Sequence, residues 1–503
     1  MKNTGTYPLG KLRCGLAEKI NAPARASAAF VAINLASKLA ALVFTPIFTR
    51  LLSTESYGIY SLFISTLSVL LVLCSLELSG GVIMRVMQRK RELSHLVLST
   101  AYVLCIIATV PVLAIWYAIG RSDAVSFPFA FPILALMLIS QAIISLYLSH
   151  ARFLYKWQSA AVAAVIQSIG APILGIALIR LISPADTMHI TLKLGAAAVA
   201  LAILAACFAV STVRGAVREA HKYGLCAKGL TREMLSIARL CLGLSLPMLP
   251  YYFAVMIISQ SNRFFVSSYY GSTAVAEYSV AHTLGISLSS PISGVTSALI
   301  PWIMRKARAG NFTAIKRTLH TLMLAAALSI ICFCSVSDIL LALIAPPEYG
   351  SALPIVFMIS LSTLPLALTQ AMSGISIACE RTGAVAVCGV SVAALSLILS
   401  YALVPRLGAV AAAAITSLSF SLLSALSVYN ARRALGTYPV SPMYGAAILA
   451  ASAAFAAAIY ALRAYPAARY IILALALAAL AVLIYKRRDI IAEKETSVSK
   501  SEY

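Results

Sequence analysis

Long apolar runs dominate this chain, separated by short polar or basic segments. The runs show no two-residue alternation of a half-buried strand. They are too long for strands, and about 20 apolar residues make one helical crossing of a bilayer. The pattern therefore predicts an all-α integral membrane protein. It places about fourteen spans at 26–49, 57–81, 95–119, 127–149, 159–182, 188–212, 241–262, 277–302, 318–344, 352–378, 383–404, 408–430, 443–462 and 468–485. The predicted organisation is a tail (1–25), a first bundle (26–212), a basic linker (213–240), a second bundle (241–430), two further spans (431–486) and a C-terminal tail (487–503).

Composition agrees with lipid as the main solvent. The chain is 61% hydrophobic and only 11% charged, against roughly half and a quarter in soluble proteins. Its net charge of +23 would suggest nucleic acid in a soluble protein. Here the cations lie in short clusters between apolar runs, so they read as topology signal and as attraction to anionic headgroups, with no nucleic-acid partner. With the N-terminus inside, thirty Lys and Arg fall on the inner side and eight on the outer, which predicts cytoplasmic N and C termini. Outer loops are short, so no extracellular domain is expected.

Several charges fall within or beside the spans. Lys38 lies about twelve residues, or about 18 Å, into the first span. A cation at mid-membrane is costly, which predicts that Lys38 faces a watery cavity or a carboxylate. The competing reading starts the span later and puts Lys38 near the headgroups. Asn34 is one turn before Lys38 on the same face. Arg50 and Arg263 sit near the outer ends of their spans, where interfacial anchoring is the alternative. Gln260 and Asn262 make the segment before Arg263 unusually polar, as a cavity wall would be. Glu77 could pair with Lys38 or Arg85, or titrate during transport. His282, one turn past Tyr278, could present its ring to a cavity or pack as a neutral core residue. The many tyrosines could stack on sugar rings, but an interfacial belt is the simpler reading.

The two halves carry a faint repeat. Arg50 is followed by Tyr57-Gly58-Ile-Tyr60-Ser61, and Arg263 by Tyr270-Gly271 and then Glu277-Tyr278-Ser279. No catalytic constellation, phosphate-cradling glycine loop or metal-spaced Cys/His pair occurs, and the cysteines read as free thiols. No cofactor is expected. Without a soluble domain to use ATP, an ion gradient or the membrane potential is the expected energy source.

The segment Asn34-Leu-Ala-Ser-Lys38, with Pro46-Ile-Phe-Thr-Arg50-Leu-Leu-Ser-Thr-Glu55-Ser-Tyr57-Gly58-Ile-Tyr60-Ser61, resembles the opening of the polysaccharide transporter (Wzx-type flippase) family. Leu246-Pro247, Ser261-Asn262-Arg263-Phe264, Tyr270-Gly271 and Glu277-Tyr278-Ser279 are similar to its second signature. Family members often have Asp-Arg where this chain has Asn262-Arg263, which leaves position 262 without a titratable group. The family belongs to the multidrug/oligosaccharidyl-lipid/polysaccharide (MOP) exporter superfamily. The resemblance implies two pseudo-symmetric six-helix lobes around a cavity, plus two C-terminal helices. It implies a non-enzymatic flippase of the bacterial cytoplasmic membrane, moving undecaprenyl-diphosphate-linked oligosaccharide of an O-antigen, capsule or exopolysaccharide to the outer leaflet.

On that reading Lys38, Arg50 and Arg263 contact the diphosphate or acidic sugars, with Asn34, Gln260, Asn262 and His282 on the wall. A polysaccharide polymerase and a chain-length regulator are conceivable partners beside the membrane lipids. A lipid II flippase and an ion-coupled multidrug exporter are the rivals in the superfamily. The mainly basic intramembrane charge argues against the exporter. A polymerase or ligase would need a large outer loop, and none is predicted.

Overall fold

The computed structural model describes residues 29–486 except 31, 34, 121–129, 183–185, 225 and 380. Both predicted tails and Asn34 lie outside the described residues. The elements are helical throughout. The first, α1, runs to residue 51, with residues 35–51 described without interruption. There follow α2 (Thr54–Ser75), α3 (Ile83–Arg89), α4 (Ser94–Gly120), α5 (Ala130–Phe153), α6 (Trp157–Val165), α7 (Ala171–Ile182), α8 (Asp186–Lys222) and α9 (Ala227–Ser245). The remainder comprises α10 (Leu249–Ser287), α11 (Ser289–Arg308), α12 (Phe312–Ile344), α13 (Leu353–Ala378), α14 (Thr382–Leu435), α15 (Pro442–Ala461) and α16 (Pro466–Lys486).

The all-α, multi-pass membrane character is present, but the expected count of about fourteen membrane helices, in two six-helix lobes plus two, is corrected. Among the described residues nine helices are long and apolar enough to cross a membrane. The number is ten if the bent pair Lys228–Ser245 and Leu249–Thr296 is one span. The physical reasons are local. The expected spans 383–404 and 408–430 are two helical segments of α14 that follow one another without a loop, joined at Gly408, whose backbone is non-helical (φ 73°, ψ −160°). The expected spans 241–262 and 277–302 are spread over α9, α10 and α11, where polar residues dilute the apolar run. The apolar stretch of α16, Ala467–Leu483, is short. Within residues 213–240, α8 continues to Lys222 and α9 begins at Ala227.

The chain forms two compact units. One comprises residues up to Ala41 together with Leu70–Leu249; the other comprises Leu42–Val69 and Pro250–Tyr503. In the first unit, α8 packs against α4, α5 and α7. Tyr147 of α5 stacks on Phe208 of α8 with ring centroids 3.8 Å apart. This unit also contains a broken helix. After α2, Leu76 and Glu77 adopt left-handed backbone (φ 49° and 48°), and Gly81 does so at φ 108°. A break frees carbonyls that membrane lipid cannot satisfy, so side chains of neighbouring helices must do so. Ser245 donates to the Leu76 carbonyl, and Ser149 donates to that of Ser79 at 3.1 Å.

In the second unit, α13 packs along α14 and α11, and α12 packs against α13, α15 and α16. Ile303, Leu319, Met323, Ile330, Phe357 and Met372 form its main apolar core. Ile258, Val392, Phe420 and Leu423 join α10 to α14 in a smaller one.

Candidate functional site

The second unit gathers the Pro46–Ser61 part of the first signature segment and the Ser261–Ser279 part of the second. On α2, Tyr57, Ser61 and Ser65 are four residues apart and so share one helix face. The Ser65 hydroxyl donates to the Ser61 carbonyl, and Ser61 to that of Tyr57, each at 2.8 Å. The serines thus satisfy their own donors within the helix and keep lone pairs for a neighbour.

That neighbour is Arg263 of α10, which is buried. Its Nε donates to Ser279 Oγ at 3.0 Å and its Nη1 to Ser65 Oγ at 3.2 Å. Nη1 also donates to Gln260 Oε1, one turn earlier. Nη2 lies 3.1 Å from His282 Nδ1. A guanidinium can only donate, so His282 accepts through Nδ1 and carries its proton on Nε2. Nε2 itself finds no partner among the described residues. The guanidinium carbon stands 6.0 Å from the Tyr278 ring centroid, at the outer limit of a cation–π contact.

Every one of these partners is neutral, and no carboxylate forms an ion pair with Arg263 among the described residues. Serine, amide and imidazole dipoles orient toward the guanidinium and spread its charge. They do not cancel it. A desolvated cation without a counterion leaves a positive potential, so an approaching anion is favoured there.

The other predicted site residues have different surroundings. Asn262 is fully buried, with its amide spent on α14. It donates to the Ala412 carbonyl at 2.9 Å and to Thr416 Oγ1 at 2.7 Å, and accepts from Ser400 at 2.7 Å. Gln260 is half-buried beside Arg263. Arg50 is exposed and donates to the Leu343 carbonyl at 3.2 Å, while Thr49 donates to that of Ile344 at 2.8 Å. These are the last carbonyls of α12, which lack partners within their own helix. Lys38 is exposed on α1, in the first unit. Glu77 is half-buried at the helix break and forms no ion pair with Lys38 or Arg85 among the described residues.

Sequence reasoning missed three buried polar residues, of which Ser65 belongs to the Arg263 site. Ser65 was indistinguishable from other serines in apolar runs. Lys193 is buried. Arg469 is buried and reaches Asp338 of α12 at 2.5 Å and the Ser335 carbonyl at 2.9 Å. The signal for the last was Asp338 itself, an acidic residue deep in a long apolar run. Among the described residues no cluster of His, Cys, Asp and Glu could hold a metal ion.

The model of a family described as polysaccharide biosynthesis protein matches residues 24–307, a stretch that includes both signature segments and Arg263. The chain belongs to that family. Its fold is similar to that of solved MOP-superfamily transporters. The lipid II flippase MurJ, in an inward closed conformation, shares 16% identity over 92% of this chain and 99% of its own, with a TM-score of 0.62. A MATE protein in complex with MaL6 shares 13% identity over 83% and 98%, with a TM-score of 0.57. An outward-facing multidrug resistance MATE transporter shares 14% over 83% and 96%, at 0.55. A comparison with curated protein sequences gives no significant match. At these identities the likeness is one of fold. It extends over nearly the full length of each relative.

Proposed function

We propose that this protein is a flippase for undecaprenyl-diphosphate-linked oligosaccharide units, moved from the inner to the outer leaflet of the bacterial cytoplasmic membrane by alternating access. The observation that carries this reading is Arg263, a buried guanidinium held only by neutral groups. Moving a diphosphate through a low-dielectric passage exposes it to a large desolvation penalty, which a fixed, uncompensated cation offsets. Membership of a polysaccharide biosynthesis family and the transporter fold support the same assignment.

Lys38 adds a second cation, on α1, with no ion-pair partner among the described residues. Arg50 contributes charge while capping α12. Coupling to an ion gradient or the membrane potential fits a chain without an ATP-binding motif. Both termini are assigned to the cytoplasm on the distribution of basic residues. A polymerase and a chain-length regulator of the same pathway are the partners this role calls for.

The test is a deletion strain. Surface polysaccharide is profiled on gels and lipid-linked intermediates are counted in each leaflet. Loss of surface glycan, with intermediates held in the inner leaflet, is the expected result. Normal glycan with altered drug sensitivity would select a multidrug exporter. The fold shared with MurJ makes lipid II the second substrate to examine, and rescue of lipid II flipping without any change in surface glycan would select it.

A further inference from the structure

The first unit carries a cavity of about 810 Å³ on the flank of α8. Its wall is graded along the helix. Cys207 and Val210 form an apolar floor and are exposed. Arg214 and Arg218 follow on the same stripe at helical spacing, and Lys156, just before α6, closes the same end. From Cys207 to Arg218 is eleven residues, about 16 Å of helix.

None of Lys156, Arg214 and Arg218 forms an ion pair among the described residues. The single carboxylate on the wall, Glu219, is engaged elsewhere. It accepts from the backbone N–H groups of His95 and Leu96 at 3.1 and 3.0 Å, and lies 2.7 Å from His95 Nδ1. It therefore caps the start of α4 and leaves the three cations uncompensated.

We propose that this cavity is a binding site for an anionic phospholipid, with the phosphate between Lys156, Arg214 and Arg218 and an acyl chain along Cys207 and Val210. Charge complementarity selects the anion, and the apolar floor selects a lipid over a soluble phosphate, which would leave that floor wet. The site sits on a different unit from Arg263 and does not depend on what the protein transports.

Native mass spectrometry of the purified full-length protein tests this, using equal phosphatidylglycerol and phosphatidylethanolamine with identical acyl chains. Preferential retention of phosphatidylglycerol is expected. In Arg214→Gln/Arg218→Gln that retention should fall about thirtyfold, at roughly fivefold for each basic residue near an anionic surface. Arg214→Lys/Arg218→Lys should keep most of it, which separates lost charge from misfolding. Arg305→Gln/Lys306→Gln, on α11, should leave it unchanged. Equal retention of the two lipids, or full retention by the double glutamine variant, overturns the proposal. Displacement of the lipid by an equal concentration of glycerol 3-phosphate also overturns it, because the site would then be one for a soluble anion.

Discussion

A Cβ atom on Gly58 would stand 1.9 Å from the backbone oxygen of Ser272. Gly58 opens α2 in the first signature segment, and Ser272 follows Gly271, where α10 leaves helical geometry (φ 80°, ψ 179°), in the second. The two Tyr-Gly copies of the sequence repeat are thus in direct backbone contact inside one compact unit.

Gly58→Ala forces that contact apart, because a carbonyl cannot swing aside as a side chain can. Overpacking of this kind costs about 1–3 kcal/mol, and more when backbone is the obstacle. Thermal unfolding in detergent should show a clear loss of stability. Gly243→Ala, in α9 with no atom within 4 Å of the new methyl, is the matched control. It should be neutral or stabilising by up to about 1 kcal/mol, the helix-propensity difference. Equal melting temperatures for the two variants would contradict the close approach.

Arg469 joins α16 to α12 through Asp338, and its guanidinium is buried while Asp338 is half-exposed. Removing the acid strands the cation. Asp338→Asn is expected to destabilise by about 1–3 kcal/mol, below the 3–5 of a fully buried pair because water reaches the carboxylate. The double variant Asp338→Asn/Arg469→Met should recover most of the loss, since no unpaired charge remains. The readout is the coupling in a double-mutant cycle of thermal unfolding, and additive losses would exclude the pair as a stabilising unit.

The helical membrane character and the two signature segments were legible because both are carried by local sequence. Hydrophobic run length reports the solvent, and the Tyr-Gly and Arg positions mark the segments that meet around Arg263. Span number was not legible. Pro405 and Arg406 look like a loop, yet they are helical, and the two segments of α14 join at the single residue Gly408. Tertiary partners were not legible either. Asn262 reads as a cavity-wall residue until α14, about 150 positions later, is seen to use its whole amide. The cage of Arg263 depends on Ser65, almost two hundred residues earlier, and no periodicity connects the two.

Thr49 and Arg50 act on the end of α12 in ways that differ by burial. Thr49 is buried, so Thr49→Val removes a donor from a carbonyl with little access to water and is expected to cost about 1–2 kcal/mol. Arg50 is exposed, and Arg50→Gln should cost under about 1 kcal/mol. Hydrogen exchange at the last turn of α12 and the melting temperature together measure both. A larger loss in Arg50→Gln than in Thr49→Val would reverse this assignment.

Lys38 is exposed and holds no ion pair among the described residues, so its replacement removes charge without emptying a packed position. Lys38→Gln should insert and melt like the parent, within about 0.5 kcal/mol. If the ammonium meets the diphosphate, surface glycan export should nevertheless fall by at least tenfold. Quantifying membrane-inserted protein beside surface polysaccharide separates the two effects. Normal export at normal protein level would remove Lys38 from the transport path.

Arg263 gives the sharpest separation between charge and fold. Its four hydrogen-bond partners are neutral, and two of them, Ser65 and Gln260, share Nη1. Arg263→Met withdraws a buried cation that has no counterion, so the desolvation penalty of the charge goes with it. Against that, Ser279 and His282 each lose a donor, at about 1–3 kcal/mol for a buried acceptor left unsatisfied. The two effects oppose each other, and the net change in stability should lie within about 2 kcal/mol. Transport should be abolished. Arg263→Lys keeps the positive charge but cannot reproduce the planar fork, because an ammonium is a point donor. It should therefore restore part of the export lost in Arg263→Met while breaking the geometry around Ser279 and His282. Export and melting temperature measured for both variants decide the matter. Partial rescue by lysine means the positive charge is what the substrate meets. Loss in both with intact folding means that the fork geometry is required, and full export in Arg263→Met would reduce Arg263 to a packing residue.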